Sequence, residues 1–346
     1  MIQKINPCAQ SPLYLISKLL VLCLTVGVFV LPASAVAQIN TVAETVGPKA
    51  CADCHKLSVR AWKSSHHFKT FKALPRKSEA KAIAKKMGIK RMKKGSDCLT
   101  CHFTEKPHKN KTKVIAGISC ESCHGAGKNW IDIHSDFGGQ GIKAADESAE
   151  HKVERYANAE KAGMIRPSNI YNVAKNCYGC HTVPNEKLVN VGGHKSGSPI
   201  ELVQWSQGEV RHNVWYSEVN NASPIERLRL MFIIGKALDL EYALRGIAKA
   251  TEEQIYFTEM LSRQKSALTA VKAVAEVISN AEYSAIAAVV NDADIKINNK
   301  AVLLQAADKI SAIAMGIAKK YNGSEFGGID AMLPAADSYK GSVFTP

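Results

Sequence analysis

Four copies of the pattern Cys-x-x-Cys-His constrain this chain more than any other feature of its sequence. The copies are Cys51-Ala52-Asp53-Cys54-His55, Cys98-Leu99-Thr100-Cys101-His102, Cys120-Glu121-Ser122-Cys123-His124 and Cys177-Tyr178-Gly179-Cys180-His181. Two residues between the cysteines let both sulfurs bond to the vinyl groups on one edge of a porphyrin, and the next residue presents an imidazole to the iron. The pattern therefore predicts four covalently attached haem c groups.

Cysteine use leaves little room for other chemistry. The chain has ten cysteines, of which Cys8 and Cys23 lie in an N-terminal leader and the other eight form the four pairs. Four such pairs would also suit two Cys₄ zinc sites, but zinc does not explain the histidine that follows every pair. A thioredoxin-like redox motif needs one pair rather than four. Haem attachment is the interpretation that accounts for all four motifs.

The N-terminus has the pattern of a secretory signal peptide. Lys4 and Lys18 supply positive charge, Leu19–Leu31 is an apolar run of secretory length, and small residues then lead to a cleavage site expected after Ala37. An uncleaved membrane anchor is the alternative, although the run is short for a spanning helix. We predict residues 1–37 as a signal peptide, a periplasmic or otherwise exported mature protein, and no integral membrane segment after cleavage.

The charge balance bears on the choice of partner. The formal net charge is +14, and cleavage of the leader removes two lysines and no acidic residue. The eight propionates of four haems would lower the charge of the mature protein to about +4. Nucleic-acid binding therefore has little support. The lysines are expected to offset propionates or to steer an acidic redox partner.

The composition changes near residue 223. Residues 38–222 hold all four motifs and every histidine, with little apolar periodicity, so the porphyrins are expected to form much of their core. Ser223-Pro224-Ile225-Glu226 then has the pattern of a capping box with proline at the first helical position. Apolar residues recur at helical spacing from there onward. Further helices are predicted over Glu252 to about Ser279, from near Ala281, and from about Lys300 to Tyr321.

These features together predict a mainly α-helical protein. A tetrahaem cytochrome c domain over 38–222, packed around its haems and with little regular structure, is expected first. An antiparallel helical bundle over 223–346, which contains no histidine and no cysteine, is expected to follow it. The apolar stripes of the bundle are interpreted as packing surfaces.

Seven histidines lie outside the four motifs, and their use decides the chemistry of the irons. They are His66, His67, His108, His134, His151, His194 and His212. A haem with a histidine on each side shuttles electrons, whereas an iron with an open position binds and transforms a small molecule. All eleven histidines fall between His55 and His212, and this concentration favours ligation for several of the seven.

Two segments combine a haem motif with a later histidine at a characteristic spacing. Cys54-His55-Lys56 is followed by Ala61-Trp62-Lys63 and then by His67, five residues after the tryptophan. Gly117-Ile118-Ser119-Cys120-Glu121-Ser122-Cys123-His124-Gly125 is followed by His134, ten residues on. In both segments the chain resembles the cytochrome c-554 family, the tetrahaem partners of hydroxylamine oxidoreductase. The resemblance covers about residues 48–212 and implies haems in closely stacked pairs that transfer electrons.

The resemblance also implies a distal ligand for three of the four irons. His134 would ligate the iron of His55, and His67 would ligate the iron of His124. A histidine downstream of the fourth motif would serve the iron of His181. The remaining haem would be five-coordinate, as the second haem of the family is.

The sequence departs from the family pattern after the fourth motif, where it offers two candidate ligands instead of one. Gly192-Gly193-His194 and Arg211-His212-Asn213 both follow His181. We favour His212 as the ligand of the His181 haem. If His194 also binds iron, the haem of His102 is closed rather than five-coordinate.

The other histidines are not expected to bind iron. His66 directly precedes a candidate ligand and cannot face the same way on a helix. His108 and His151 lie in lysine-rich stretches and are expected to be solvated. Arg211, beside a candidate ligand, is expected either to pair with a haem propionate or to be ordinary surface charge.

The leading functional hypothesis is an exported electron carrier that accepts electrons from one redox protein and donates them to another, with no catalytic side chain. One alternative is an enzyme that reduces a small nitrogen or sulfur species at an open His102 haem. Another is a subunit of a larger cytochrome assembly that uses the bundle as its contact surface. Oligomer formation is left open. The additional histidine after the fourth motif favours the carrier.

Overall fold

The computed structural model describes residues 42–346. The predicted signal peptide, with its cleavage site after Ala37 and the cysteines at 8 and 23, lies outside the described residues. The described chain is mainly α-helical, as predicted. Its one sheet, among these residues, is an antiparallel pair of strands, β1 (Thr104–His108) and β2 (Lys111–Ala116), between the second and third motifs.

Short helices carry and connect the four motifs. They are α1 Lys49–Ala52, α2 Lys56–Ser64, α3 His66–Ala73, α4 Ser78–Lys86, α5 Leu99–His102, α6 Cys120–His124, α7 Ile131–Ser135, α8 Ala149–Lys161, α9 Ile170–His181, α10 Glu186–Asn190 and α11 Leu202–Ser206, with 3₁₀ segments at Val42–Glu44, Leu74–Arg76 and Gly127–Asn129. Three of the four motif histidines are the last residue of a helix, and His55 directly precedes α2. Each motif is thus a helical turn that ends on its imidazole.

The main apolar core lies almost wholly in the second half of the chain. Its buried members run from Ile170 to Ile329, and none of them comes from the first three motifs. The first half contributes only scattered buried apolar side chains, such as Val59, Phe103 and Trp130. The small number of buried apolar side chains fits the expectation that porphyrins form much of the core in this part of the fold.

Four longer helices, the C-terminal helices, follow residue 223. They are α12 Ile225–Ile247, α13 Ile255–Ile278, α14 Ala281–Asn291 and α15 Lys300–Lys320, followed by 3₁₀ segments at Ser324–Met332 and Ala336–Ser338. All four lie within a few residues of their predicted positions. Helix α12 is central: it packs against α13 and α15, and also against α9 and α11 of the motif region. Its side chains are buried almost all round, as a core helix requires.

The predicted capping box at Ser223 does not form. Helix α12 begins at Ile225, and no side chain caps its first turn. Gln207 instead uses both polar groups of Ser223: Gln207 Oε1 accepts the backbone N–H at 2.8 Å, and Gln207 Nε2 donates to the hydroxyl at 3.2 Å. A tertiary contact has therefore replaced the local cap.

Helix α15 is, among the described residues, the helix long and apolar enough to cross a membrane by length and composition. One face of the helix is buried in the protein, through Leu303, Ala307, Ile310, Ala314 and Ile317. This face packs against α12 and α14. The apolar composition of α15 is therefore explained by its place among the C-terminal helices.

A buried carboxylate joins the helix of the fourth motif to the C-terminal helices. Glu241 of α12 is 1% exposed and accepts hydrogen bonds from the Tyr171 hydroxyl of α9 at 2.7 Å and from Arg245 Nε at 2.8 Å. Arg245 Nη2 donates in turn to Asp308 of α15 at 2.7 Å. All described residues fall within one compact unit, and this network is one of the links that hold it together.

Replacing the buried carboxylate should weaken the fold. In Glu241→Ala, Arg245 loses its buried counter-charge and keeps only Asp308, and the Tyr171 hydroxyl keeps only Ser311, so we expect the free energy of unfolding to fall by about 3 kcal/mol. Urea denaturation followed by circular dichroism measures the change. Glu259→Ala removes an exposed carboxylate from α13 and should change stability by less than about 0.5 kcal/mol. Equal losses in the two variants would contradict this account of Glu241.

Candidate haem sites

The imidazoles of the eight predicted ligands lie in four pairs. The distances between ring centroids are 6.2 Å for His55–His134, 6.2 Å for His124–His212, 6.3 Å for His102–His194 and 6.4 Å for His67–His181. Every pair joins one motif histidine to one histidine outside the motifs. The structure thus brings together all the residues that were predicted to face an iron.

This separation matches two imidazoles on opposite sides of one metal ion. A bond from a metal to an imidazole nitrogen is about 2.0–2.1 Å, and the ring centre lies about 1.1 Å beyond that nitrogen, so the two ring centres stand about 6.2 Å apart. Among the described residues no three His, Cys, Asp or Glu side chains converge on a point that would hold a metal ion. Each pair therefore offers two axial ligands and requires the remaining ligands from a macrocycle, as haem supplies them.

The structure corrects two of the expected pairings, while His134 faces His55 as predicted. His67 was expected opposite His124 but lies opposite His181, and His212 lies opposite His124 instead of His181. The reason lies in the packing of α3, the helix that carries His67. It packs against α5, the helix of the His102 motif, which brings His67 to the His102–His181 side of the protein. Sequence spacing alone does not determine which motif a helix crosses.

At His102, whose haem would be closed if His194 also binds iron, the structure places the His194 ring opposite the His102 ring. The turn after α10 presents this side chain. Gly193 adopts a left-handed φ of +74°, and a Cβ on Gly192 would lie 2.4 Å from the carbonyl oxygen of Leu188. Both positions therefore favour glycine, and the Gly-Gly-His sequence is the local signal for this ligand.

Hydrogen bonds to backbone carbonyls fix the tautomer of four imidazoles. The Nδ1 atoms of His124, His134, His194 and His212 lie 3.0, 2.5, 2.7 and 2.7 Å from the carbonyl oxygens of Ile165, Ile131, Lys195 and Val210 respectively. A carbonyl oxygen only accepts, so each Nδ1 carries the proton and donates it. The lone pair then lies on Nε2, the atom free to bind a metal.

The electrostatic surroundings keep the motif imidazoles neutral. Burial, followed by the neighbouring imidazoles of His194 and His181, lowers the pKa of His102 to about 4. Burial is also the first cause that lowers the pKa values of His124 and His181 to about 4. These rings are unprotonated at neutral pH, which is the form that binds a metal.

The attachment cysteines of different motifs adjoin one another. The thiols of Cys51 and Cys120 lie close enough to shift each other's pKa values, and so do those of Cys101 and Cys180. A third link joins motifs three and four, because Asn176 of α9 donates from Nδ2 to the carbonyl oxygen of Cys123 at 3.1 Å. The four sites consequently follow one another in the order first, third, fourth and second motif.

Burial disfavours the thiolate form of two of the thiols, those of Cys123 and Cys177. Burial, followed by the charge of Cys177, raises the pKa of Cys123 to about 12, and burial raises the pKa of Cys177 to about 11. Zinc sites and thiol redox motifs both use the thiolate form.

Glu121, inside the third motif, is a structural residue that the sequence analysis did not identify. Its side chain is almost completely buried and accepts backbone N–H groups from Val46 at 2.9 Å, Gly47 at 2.7 Å and Gly127 at 2.7 Å. Val46 and Gly47 lead directly into the first motif. The carboxylate therefore holds the first and third motifs together, as their neighbouring thiols require.

Six buried donor groups have no hydrogen-bond partner in the described part of the protein: Asn190 Nδ2, the Tyr256 hydroxyl and four groups that belong to tryptophans and arginines. The latter four are Trp130 Nε1, Trp205 Nε1, Arg211 Nε and Arg263 Nη2. Trp130 and Trp205 contact the rings of His134 and His181, with centroids 5.1 and 5.2 Å apart. Buried donors are rarely left unpaired, and haem propionates are carboxylates that accept such hydrogen bonds. The buried donors around the paired imidazoles are therefore suited to bind the propionates of a haem, and the imidazoles themselves are suited to bind its iron.

The other three histidines lie away from the pairs. His66 is 80% exposed at its side chain, and its Nδ1 pairs with Glu209 at 2.6 Å. His151 Nδ1 pairs with Glu147 at 2.7 Å, and His108 is exposed at the end of β1. Among the described residues, none of these three histidines lies opposite a motif histidine.

Comparisons with known proteins find a family that matches part of the motif region. Residues 50–125 match the model of the family described as cytochrome c554 and c-prime. Cytochrome c-554 of Nitrosomonas europaea is 31% identical over 143 residues, which are 39% of this chain and 56% of that relative. Over residues 50–125 the chain is similar to the cytochrome c554 and c-prime family. No solved structure matches the chain.

The cytochrome c554 segment includes the first three motifs, and the family model ends at residue 125. The fourth motif, three of the four outer histidines and all the C-terminal helices follow that point. The chain spans little more than half the length of the relative that it matches. The pairing of imidazoles outside the matched segment therefore rests on the structure of this chain.

The position of His67 within the cytochrome c554 segment depends on a close contact at Gly117. A Cβ on Gly117 would lie 2.1 Å from the carbonyl oxygen of His67. Gly117→Ala should therefore displace α3, and we expect one haem of the purified protein to become partly high-spin in its optical and EPR spectra. Gly316→Ala, whose Cβ would meet no atom within 4 Å, is the matched control. Unchanged spectra in Gly117→Ala would contradict the placement of His67.

Proposed function

We propose that this chain is a tetrahaem c-type cytochrome that carries electrons, with a histidine on both sides of every haem iron. The observation that carries the proposal is the set of four imidazole pairs at 6.2–6.4 Å, each built on a Cys-x-x-Cys-His motif. When bound, a haem iron takes up and releases one electron. The proposal includes the fourth haem and the pairings that lie beyond the segment matched to the family.

The protein side chains hold and shield the sites. Two cysteines of each motif would attach the porphyrin covalently, and the motif histidine would bind the iron from one side. Three of the outer histidines, His134, His194 and His212, donate hydrogen bonds from Nδ1, which leaves Nε2 free to bind iron. Rigid ligands on both sides keep the coordination unchanged between oxidation states, which favours fast electron transfer.

The carrier function is favoured over reduction of a small molecule because the His102 site is closed. An enzyme of the alternative class needs an iron with an exchangeable sixth position. His194 stands opposite His102 at 6.3 Å, the same separation as in the other pairs. Its Nδ1 donates to the Lys195 carbonyl oxygen at 2.7 Å, which leaves Nε2 for the metal.

The order of the sites suggests how partners would approach. The row begins at the His55 site and ends at the His102 site, because adjacent motifs connect them through the His124 and His181 sites. We propose that donor and acceptor proteins dock near the two ends, through the small and weak interfaces typical of electron-transfer partners. The signal-peptide pattern and the family similarity of the motif region support a periplasmic location.

The spin state of the irons tests this proposal. We expect four haems per chain by pyridine haemochrome assay, all low-spin when oxidised and all unreactive towards nitric oxide. His194→Ala should convert one of the four to a high-spin form that binds nitric oxide, because it removes one axial ligand.

His108→Ala removes an exposed histidine that faces no motif and should leave all four irons low-spin. A high-spin iron in the unaltered protein, or an unchanged spectrum in His194→Ala, would contradict the closed His102 site and favour the enzyme. Fewer than four haems per chain would contradict the tetrahaem assignment itself.

A further inference from the structure

An arginine of the C-terminal helices reaches the hydrogen bonds around one of the haem sites. Arg263 lies on α13, outside the segment matched to the family, and its side chain is 14% exposed. Arg263 Nη1 donates to the backbone carbonyl oxygen of Ser198 at 3.2 Å. Ser198 is the residue whose hydroxyl oxygen lies 2.8 Å from His181 Nδ1. The guanidinium is thus two hydrogen bonds away from a predicted iron ligand.

The segment between Arg263 and His181 is held tightly. The backbone N–H of Ser198 donates to the carbonyl oxygen of His181 at 3.0 Å. A Cβ on Gly197 would lie 2.6 Å from that same carbonyl oxygen and 3.3 Å from Arg263 Nη1. Gly197 also has a φ of +151°. This close packing fixes the distance between the guanidinium and the fourth motif.

The hydrogen bonds of Arg263 are incomplete within the protein. Its Nε donates to Asp239 of α12 at 2.6 Å, and Nη1 is used at Ser198, but Nη2 is buried with no partner. Trp205 Nε1 is a second buried donor without a partner, and the Trp205 ring lies against His181, 5.2 Å from it. Glu201 Oε1 is a buried acceptor in the same region, but it bonds neither donor and is itself without a partner. Because buried donors are rarely left unpaired, an acceptor from outside the chain would complete the hydrogen bonds of Arg263 and Trp205.

The structure assigns Arg263 and Trp205 to the binding of a propionate of the His181 haem, and it assigns to Arg263 a role in raising the reduction potential of that haem. The inference rests on the proposed function, since it requires a haem at the fourth motif. A propionate carboxylate accepts hydrogen bonds from both donors. Arg263 is a positioning residue, because it acts on the iron through the propionate, Ser198 and its own charge.

The sign of the effect follows from electrostatics. Reduction of Fe(III) to Fe(II) adds one electron, which a chemical mediator supplies in the experiment, and lowers the positive charge at the iron by one. A nearby guanidinium therefore stabilises the reduced form, and Asp239 partly cancels this effect. Arg263 also lies close enough to lower the pKa of His181, after burial and His67. His124 Nδ1 donates to the Ile165 carbonyl oxygen, whereas His181 Nδ1 meets the hydroxyl of Ser198. The hydroxyl is the weaker acceptor of the two.

Redox titration of the purified holoprotein at pH 8, with mediators and optical detection, tests the inference. In Arg263→Gln one of the four one-electron components should shift to lower potential. At the midpoint potential that this component has in the unaltered protein, its ratio of reduced to oxidised haem should fall about tenfold. This corresponds to a shift of about 59 mV for a one-electron couple. The other three components should stay in place.

Asp239→Asn provides the decisive second variant, because it should move the same component in the opposite direction. It keeps the size of the side chain and removes the negative charge that offsets Arg263. A purely structural role for the Arg263–Asp239 pair would shift the component in the same direction in both variants, and that result would overturn the inference. Arg263→Lys keeps the charge and should retain most of the potential, which covers the case in which Arg263→Gln does not fold.

Arg229→Gln is the matched control. Arg229 lies on α12 and pairs with Asp330 through Nε and Nη2, both at 2.6 Å, so the substitution removes the same charge from a residue whose partner is elsewhere in the C-terminal helices. All four components should be unchanged in this variant. If every variant holds four haems and no reduction potential shifts in Arg263→Gln, this inference is overturned and the proposed function stands. If the unaltered protein does not hold four haems, the proposed function is overturned.

Discussion

The separation between paired imidazoles is the constraint on which the rest of this structure depends. In each of four pairs, a motif imidazole and an outer imidazole stand 6.2–6.4 Å apart between ring centroids. Four repeats of one spacing in four different local settings indicate a common object between the rings. The chain meets this constraint with helical turns that end on an imidazole and with loops that return a second imidazole to the opposite side. The small apolar core of the motif region follows from the same requirement.

The C-terminal helices solve a different problem. Their apolar core is large and continuous, and it extends into α9 and α11, so that the fourth motif is anchored on a conventional helical core. The first three motifs depend instead on polar links between segments, of which the Glu121 carboxylate is the clearest example. The fourth site consequently stands between two kinds of structure, and it is the site that an arginine of the C-terminal helices reaches. Added helices of this kind can adjust a redox site without altering its ligands.

Much of this arrangement was predictable from the sequence, and the remainder depended on tertiary contacts. Local patterns predicted the four attachment motifs and the four C-terminal helices, because each of these is encoded over a few neighbouring residues. The candidate outer histidines came from the family resemblance and from the additional histidine after the fourth motif. The partner of His67 was not predictable in this way, since it depends on the contact of α3 with α5 and Gly117. The capping box at Ser223 failed for a similar reason, as Gln207 competes for the same groups. Arg263 gave no local signal, because it lies on an amphipathic helix far from any motif in the sequence.

The most direct test of this account is the position of the irons in a crystal structure of the holoprotein, located by anomalous scattering at the iron edge. We expect four iron peaks, one between the two imidazoles of each pair: His55 and His134, His67 and His181, His102 and His194, and His124 and His212. An iron beside His102 with His194 turned away from it, or a different exchange of partners among the four sites, would contradict the account.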